Sequence, residues 1–414
     1  MDLPRTPMPP MARVRQRFPT DHVADVRDAV RQALRQADWR TRLQPGARVA
    51  VTAGSRGIAN IVEVLQEVVA ALRDAGARPF IVPAMGSHGG ATVEGQRAVL
   101  ASYGVTEESV GAPIMATMDT VELGRVATGA TVHLDRYAAE ADGIVVVGRV
   151  KAHTAFRGAI ESGLCKMLAV GLGKQRGAAN MHAHGLKESV PQAAVRILER
   201  APVLLGVAIV ENAYHQIHTV EAVPPTAFLD ADRRLLELAN RLAPRIPFDP
   251  LDLLVVGWMG KDISGSGMDL NVIGMWRRIG GEQRPYFARV AVLDLTEASE
   301  GNGIGIGMAD FTTRRLFEKL DLRKTYMNVL TANAPQVGKI PIVLENDREA
   351  VEVALRSSAP AGSPRVVAVR STLHLEDLWV SEALVPEITG QPGLEVLEPP
   401  RPVAYDERGN LTWW

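Results

Sequence analysis

Three side chains within one short stretch have the types and spacing of an active site. Residues 148–185 hold three of the nine histidines and the single cysteine of the 414-residue chain. Lys166 lies there among Leu164, Cys165, Met167 and Leu168. An ammonium is poorly solvated in such company, which favours a neutral amine able to form covalent bonds. The same position also suits a lysine snorkelling from the edge of a core helix. His153 and His182 stand on either side of it, and imidazole is the side chain that gives and takes protons near neutrality or ligates a metal.

Further candidates follow the apolar segments of the first half. Residues 48–52 read as a strand, and Ser55-Arg56 lies in the turn after it. Ile58, Ile61, Val62, Leu65, Val68, Val69 and Leu72 then fall on one face of a helix that Gly76 stops. Residues 79–83 form a second strand, followed by a Gly-rich loop bearing His88. A β-α-β unit of this kind makes the sheet at least partly parallel, and parallel sheets gather ligand-binding groups at the carboxyl ends of their strands. Ser55, Arg56 and His88 occupy such places, although each also suits an ordinary turn. Residues 143–148 are apolar enough for a central strand, and Lys151 and His153 follow its end. Residues 203–210 form another buried strand, with Glu211, Asn212 and His215 beyond it; His215-x-x-His218 reads as a chance spacing. A helix over 225–242 leads to Pro244, Pro247 and Pro250, the clearest domain boundary. Strands at 251–256 and 289–295 open a second α/β set that alternates through Val369. Between these two strands, residues 257–269 form a Gly-rich, polar loop containing Lys261, and residues 300–307 read as a mobile Gly-rich loop.

In order, Ser55-Arg56, His88, His153, Lys166 and His182 resemble the motifs of the nickel-dependent lactate racemase family, with a few extra residues between His153 and Lys166. The interval of 16 residues from Lys166 to His182 agrees with that family. The resemblance implies a nickel-pincer nucleotide tethered to Lys166, assisted by Ser55 and Arg56, with nickel ligated by His182. It implies His88 and His153 as the acid/base pair, and Arg56 with Lys261 as binders of the substrate's anionic groups. The implied reaction is racemisation or epimerisation of a 2-hydroxy acid by hydride transfer, an isomerase activity. The cofactor would come from other, biosynthetic proteins and need not accompany the purified chain. Two departures stand out: Gly171-Leu172-Gly173 replaces a proline-glycine after the lysine, and a Tyr-Gln and lysine pattern in the later loop is replaced by Ser264-Gly265-Ser266-Gly267. The second change suggests a 2-hydroxy acid larger or more polar than lactate.

The elements expected to position these residues are two α/β domains with mostly parallel sheets and the active site in the cleft between them. Residues 1–20 read as an irregular arm, 21–243 as the cofactor-binding domain, 244–250 as a linker, and 251–414 as a domain closing over the site. Lys plus Arg number 46 against 47 Asp plus Glu, so no electrostatic case exists for a nucleic-acid partner. One cysteine excludes an intrachain disulfide and suits a reducing compartment. The first residues lack the apolar block of a secretory signal, and the longest apolar run, 201–210, is half a membrane span. The expectation is a cytoplasmic enzyme of a small-molecule hydroxy acid, without membrane or nucleic-acid partners. Two alternatives stay open: a zinc hydrolase using His153, His182 and His184, and a non-catalytic binder of a nucleotide or sugar acid.

Overall fold

The computed structural model describes residues 3–55 and 57–413, so Arg56 lies outside the described residues. The chain divides into two compact units, one of residues 19–243 and the other of residues up to 18 together with those from 244 onward. In chain order the strands are β1 (Met11–Gln16), β2 (Arg48–Ala53), β3 (Arg78–Pro83), β4 (Thr120–Arg125), β5 (Thr131–Asp135), β6 (Gly143–Arg149), β7 (Val203–Glu211) and β8 (Ile217–Val223). They continue with β9 (Leu251–Met259), β10 (Phe287–Leu295), β11 (Phe311–Thr313), β12 (Ile342–Leu344), β13 (Val366–Ser371), β14 (His374–Ser381) and β15 (Leu394–Arg401).

The unit of residues 19–243 is built on a five-stranded sheet of order β3-β2-β6-β7-β8. All its pairings are parallel except that of β8 with β7. The sheet is buried on both faces because its strands are apolar at successive positions. Val49, Val51, Val145 and Val147 pack with Val64, Leu65, Val68 and Leu72 of the helix Ile61–Asp74. Ala50, Ile144 and Val146 pack on the opposite side with Leu164, Leu168, Ile197 and Leu235. β6 is central, as its composition requires, and β4 with β5 forms a separate antiparallel pair.

The other unit holds an eight-stranded sheet of order β12-β11-β10-β9-β13-β14-β1-β15. β12, β11, β10, β9 and β13 run parallel, while β14, β1 and β15 pair antiparallel. Two expectations are corrected here. The segment read as an irregular arm contains β1, whose Met11 faces Ser381 and whose Arg13 faces Trp379. The prolines at 4, 7, 9 and 10 all precede this strand, so none removes a ladder donor, and Met11, Ala12 and Val14 are wholly buried. Residues 300–307, read as a mobile loop, are instead packed: Ile304 and Ile306 are buried, Gly303 N–H donates to Thr325 Oγ1 at 2.9 Å, and Gly305 N–H to Val337 O at 2.9 Å. At Gly305 (φ +96°) a Cβ would lie 1.8 Å from Ser266 O, so the glycine serves close packing rather than motion.

Because Met11 is fully buried between two partner strands, Met11→Ala should lower stability by about 2–5 kcal/mol. Denaturant unfolding followed by tryptophan fluorescence measures this.

Candidate active site

β2 and β3 are consecutive and adjacent, whereas the chain returns to the other side of β2 to form β6. This reversal makes the β2/β6 border the switch point of the sheet, where a crevice opens at the carboxyl ends. Ladder pairing between them ends at Val51 and Val145. Beyond it Thr52 Oγ1 accepts from Val147 N–H at 2.9 Å and donates to Val147 O at 3.2 Å, satisfying backbone groups as the strands part.

A pocket with about 670 Å³ of empty space, its open mouth included, lies at this place. Gly54 and Ser55 line it from the end of β2, Ala84, Met85 and His88 from the end of β3, and Gly148, Arg149 and Lys151 from the end of β6. Its remaining wall is the segment 162–171, which contributes Ser162, Lys166, Met167 and Gly171. Three lining side chains are cationic, and no Asp or Glu lines the pocket among the described residues. Arg149 is ion-paired with the buried Glu211 behind it, and Glu211 Oε1 also accepts from Ala59 N–H at 2.8 Å. The pocket is thus suited to an anion.

Lys166 closes a short helix, Leu164–Lys166, that continues into a π-turn over Met167–Gly171. Such turns cluster at functional sites because they redirect side chains within a helix. The first N–H groups of this helix are satisfied by one carboxylate: Asp232 Oδ1 accepts from Leu164 and Oδ2 from Cys165, both at 2.9 Å. Burial pushes the Asp232 carboxyl above the usual carboxylate range, while the two backbone donors pull the other way. Gly163 allows this contact, since a Cβ there would lie 2.3 Å from Asp232 Oδ1. Burial also pushes the Cys165 thiol far up, so this cysteine is a packing group rather than a nucleophile.

The structure therefore brings Ser55, His88 and Lys166 to one pocket, as the sequence expects, and adds Arg149, Lys151 and Ser162. His153 does not line it. This residue belongs to the loop of residues 151–162, whose neck is closed by paired backbone hydrogen bonds between Lys151 and Ser162 (3.0 and 3.2 Å). Buried Glu161 gathers the loop, accepting from His153 N–H at 2.6 Å and Gly158 N–H at 3.2 Å. His153 Nδ1 accepts from Ala155 N–H at 3.0 Å, which leaves the proton of the neutral ring on Nε2. His182 is exposed near the end of the helix Lys174–Ala183 and is not part of the pocket lining. Lys261 belongs to the other unit, where its ammonium donates to Gly265 O at 2.9 Å and Asn328 Oδ1 at 3.1 Å. Its charge holds the loop that was expected to bind substrate. The serines of that loop are also turned inward, Ser264 Oγ lying 3.3 Å from Ser266 Oγ and Ser266 donating to Met268 O at 3.1 Å.

No three His, Cys, Asp or Glu side chains form a metal-holding group among the described residues, so His153, His182 and His184 are not gathered as a zinc hydrolase requires. No helix among the described residues is long and apolar enough to cross a membrane. Sequence reasoning missed Asp232. The signal was present in its helix, Phe228–Leu242, where an aspartate occupies the buried face with Phe228, Ala231, Leu235, Leu236 and Ala239.

Fold and site together define an α/β protein with a lysine-bearing anion pocket at the switch point of its first sheet. Residues 11–193 match the family model of the lactate racemase N-terminal domain. Lactate racemase apoprotein from Thermoanaerobacterium thermosaccharolyticum shares the fold at 12% identity, with 87% of this chain and 94% of that one covered and a TM-score of 0.54. A protein of known structure from Thermotoga maritima is similar at 13% identity, with 81% and 83% covered and a TM-score of 0.50. No curated protein matches the chain.

Removing the Asp232 carboxylate leaves two buried N–H groups without an acceptor. Asp232→Ala should cost about 1–3 kcal/mol for each, read from urea unfolding at pH 7.

Proposed function

We propose that this protein is a racemase or epimerase of a 2-hydroxy acid that uses a nickel-pincer nucleotide tethered to Lys166. The observation that carries this reading is the placement of the Lys166 side chain in an anion-suited pocket beside Ser55 and His88. It is supported by the match of residues 11–193 to the lactate racemase N-terminal domain model. A phosphate-bearing nucleotide needs an amine for its tether and cations for its charge. Lys166 supplies the amine, and Lys151 with Arg149, which shares its charge with Glu211, supplies the cations, so the pocket lining fits the nucleotide part of the group. Ser55 would add a hydroxyl donor where β2 ends. His182 is assigned as the nickel ligand on its separation of 16 residues from Lys166.

When bound, the nucleotide supplies a site that accepts hydride from the substrate carbon and returns it. The chain's own residues do the rest. Lys151 and Arg149 attract and orient the substrate carboxylate by charge-assisted hydrogen bonds. His88 takes the proton of the substrate hydroxyl and later gives one back, a task matched to an imidazole whose unperturbed pKa is about 6.5. Inversion needs a second base for the other face; His153, which lies outside the pocket lining, is assigned that role by its place in the order of the motifs alone. The apolar wall of Ile58, Met85, Val147, Met167 and Val170 limits water around the reacting carbon. A cytoplasmic setting agrees with the single buried thiol.

Peptide mapping of protein co-expressed with cofactor-making enzymes should find a covalent adduct on Lys166, and Lys166→Ala should lack both the adduct and turnover; full activity in that variant would end the proposal. His182→Ala should lose nickel, measured by elemental analysis, while keeping the organic part. Separate replacement of His88 and His153 by Asn should each lower kcat by ~2–4 orders of magnitude. Chiral analysis with solvent-deuterium exchange over a panel of 2-hydroxy acids, lactate included, identifies the substrate.

A further inference from the structure

Next to the pocket lies a buried cation that the proposed chemistry does not use. Lys174 is wholly buried; its ammonium donates to Pro83 O at the end of β3 and to Gln96 Oε1 at 3.0 Å, and is ion-paired with Asp135 Oδ2 at 3.1 Å. Each belongs to a different element: β3, the helix Val93–Ser102, and β5. Gln96, also wholly buried, passes the connection on by donating through Nε2 to Gly86 O at 2.9 Å and His88 O at 3.4 Å. Lys174 itself begins the helix Lys174–Ala183 immediately beyond the π-turn that follows Lys166. Two backbone bonds run alongside, from Gly86 N–H to Gly171 O at 3.1 Å and from Asp135 N–H to Leu172 O at 2.7 Å.

Apolar residues in place of both Lys174 and Asp135 would fill the same space without the desolvation that burial imposes on the pair, and such paired replacements are often neutral or stabilising. Lys174 also holds φ at +53°, a strained conformation for a side chain with a Cβ. What the ammonium provides and an apolar group does not is direction. Two acceptors and an ion pair fix one nitrogen in space, and through Gln96 they hold the carbonyls of Gly86 and His88. We infer that Lys174 is a positioning residue whose ammonium, relayed by Gln96, sets the spacing between the His88 loop and the segment that carries Lys166. This inference rests on the assignment of His88 and Lys166 to one site. Its physical core, the clamp on residues 84–88, does not.

The test compares Lys174→Met and Gln96→Met with wild type in the full chain. Amide hydrogen exchange on cofactor-free protein should show residues 84–92 exchanging about tenfold faster in both variants, with β6 and β7 unchanged. After reconstitution kcat should fall about 10²-fold, as expected for a misplacement near 1 Å, while KM stays close to wild type. A purely structural role would instead speed exchange across the whole sheet and leave kcat per folded molecule intact. That result, or unchanged exchange at 84–92, would overturn the inference. If Lys174→Met does not fold, Gln96→Met carries both measurements. Absence of turnover in wild-type protein on every hydroxy acid would overturn the racemase reading and leave the exchange comparison to decide the clamp.

Discussion

Parallel strands can be extended only by re-entering the sheet from the same end, and this constraint organises the first unit. Each crossing over residues 48–149 delivers a loop to one edge, and the reversal between β2 and β6 leaves a gap that no connection covers. Ser55, His88 and Lys151 are near one another because they follow β2, β3 and β6, not because they are close in sequence. Lys166 is brought to the same gap by a helix whose first donors are tied to Asp232, 66 residues further on. Sheet topology places three corners of the pocket, and a single buried carboxylate places the fourth.

The parts legible in the sequence are those with short-range patterns. Continuous apolar runs marked β2, β3, β6, β7, β9 and β10, and the prolines after Ala243 fall where the two units part. Ser55 and His88 stand out because they follow β2 and β3, and Lys166 because its sequence neighbours are apolar. Gln96, Asp135 and Lys174 do not, since they are told from exposed polar residues only by their distant partners, while Asp232 is marked only by its place on the apolar face of its helix. β1 was missed for a related reason: six residues behind a proline-rich stretch form a strand only because β14 and β15, more than 360 positions later, offer both edges. The Gly-rich run at 300–307 was misread because glycine serves close approach as readily as motion, and composition does not separate the two.

The buried charges of the first unit are arranged with little redundancy. Glu161 organises the His153 loop, Asp232 the Lys166 helix, Glu211 the Arg149 side chain, and Asp135 with Lys174 the floor beneath the His88 turn. Each satisfies backbone or side-chain donors from a different segment, so the pocket wall is assembled from independently fastened pieces. Hydrogen bonds to buried carboxylates fix geometry more tightly than apolar contact does, and they make each piece sensitive to the loss of one group.

The membership of β1 in the second sheet has a consequence for how the molecule is made. Residues 19–243 are an insertion within the other unit, so β1 leaves the ribosome before that unit and is paired only after it has been made. At synthesis rates of about 5–20 residues per second, β1 waits on the order of tens of seconds for β14 and β15. Throughout that time Met11, Ala12 and Val14 are an unpaired apolar edge, while the inserted unit can already collapse around its own sheet. Folding of this protein is therefore staged by its connectivity, and the interval before the last strands arrive is when nascent chains are most exposed to mispairing and most dependent on chaperone cover.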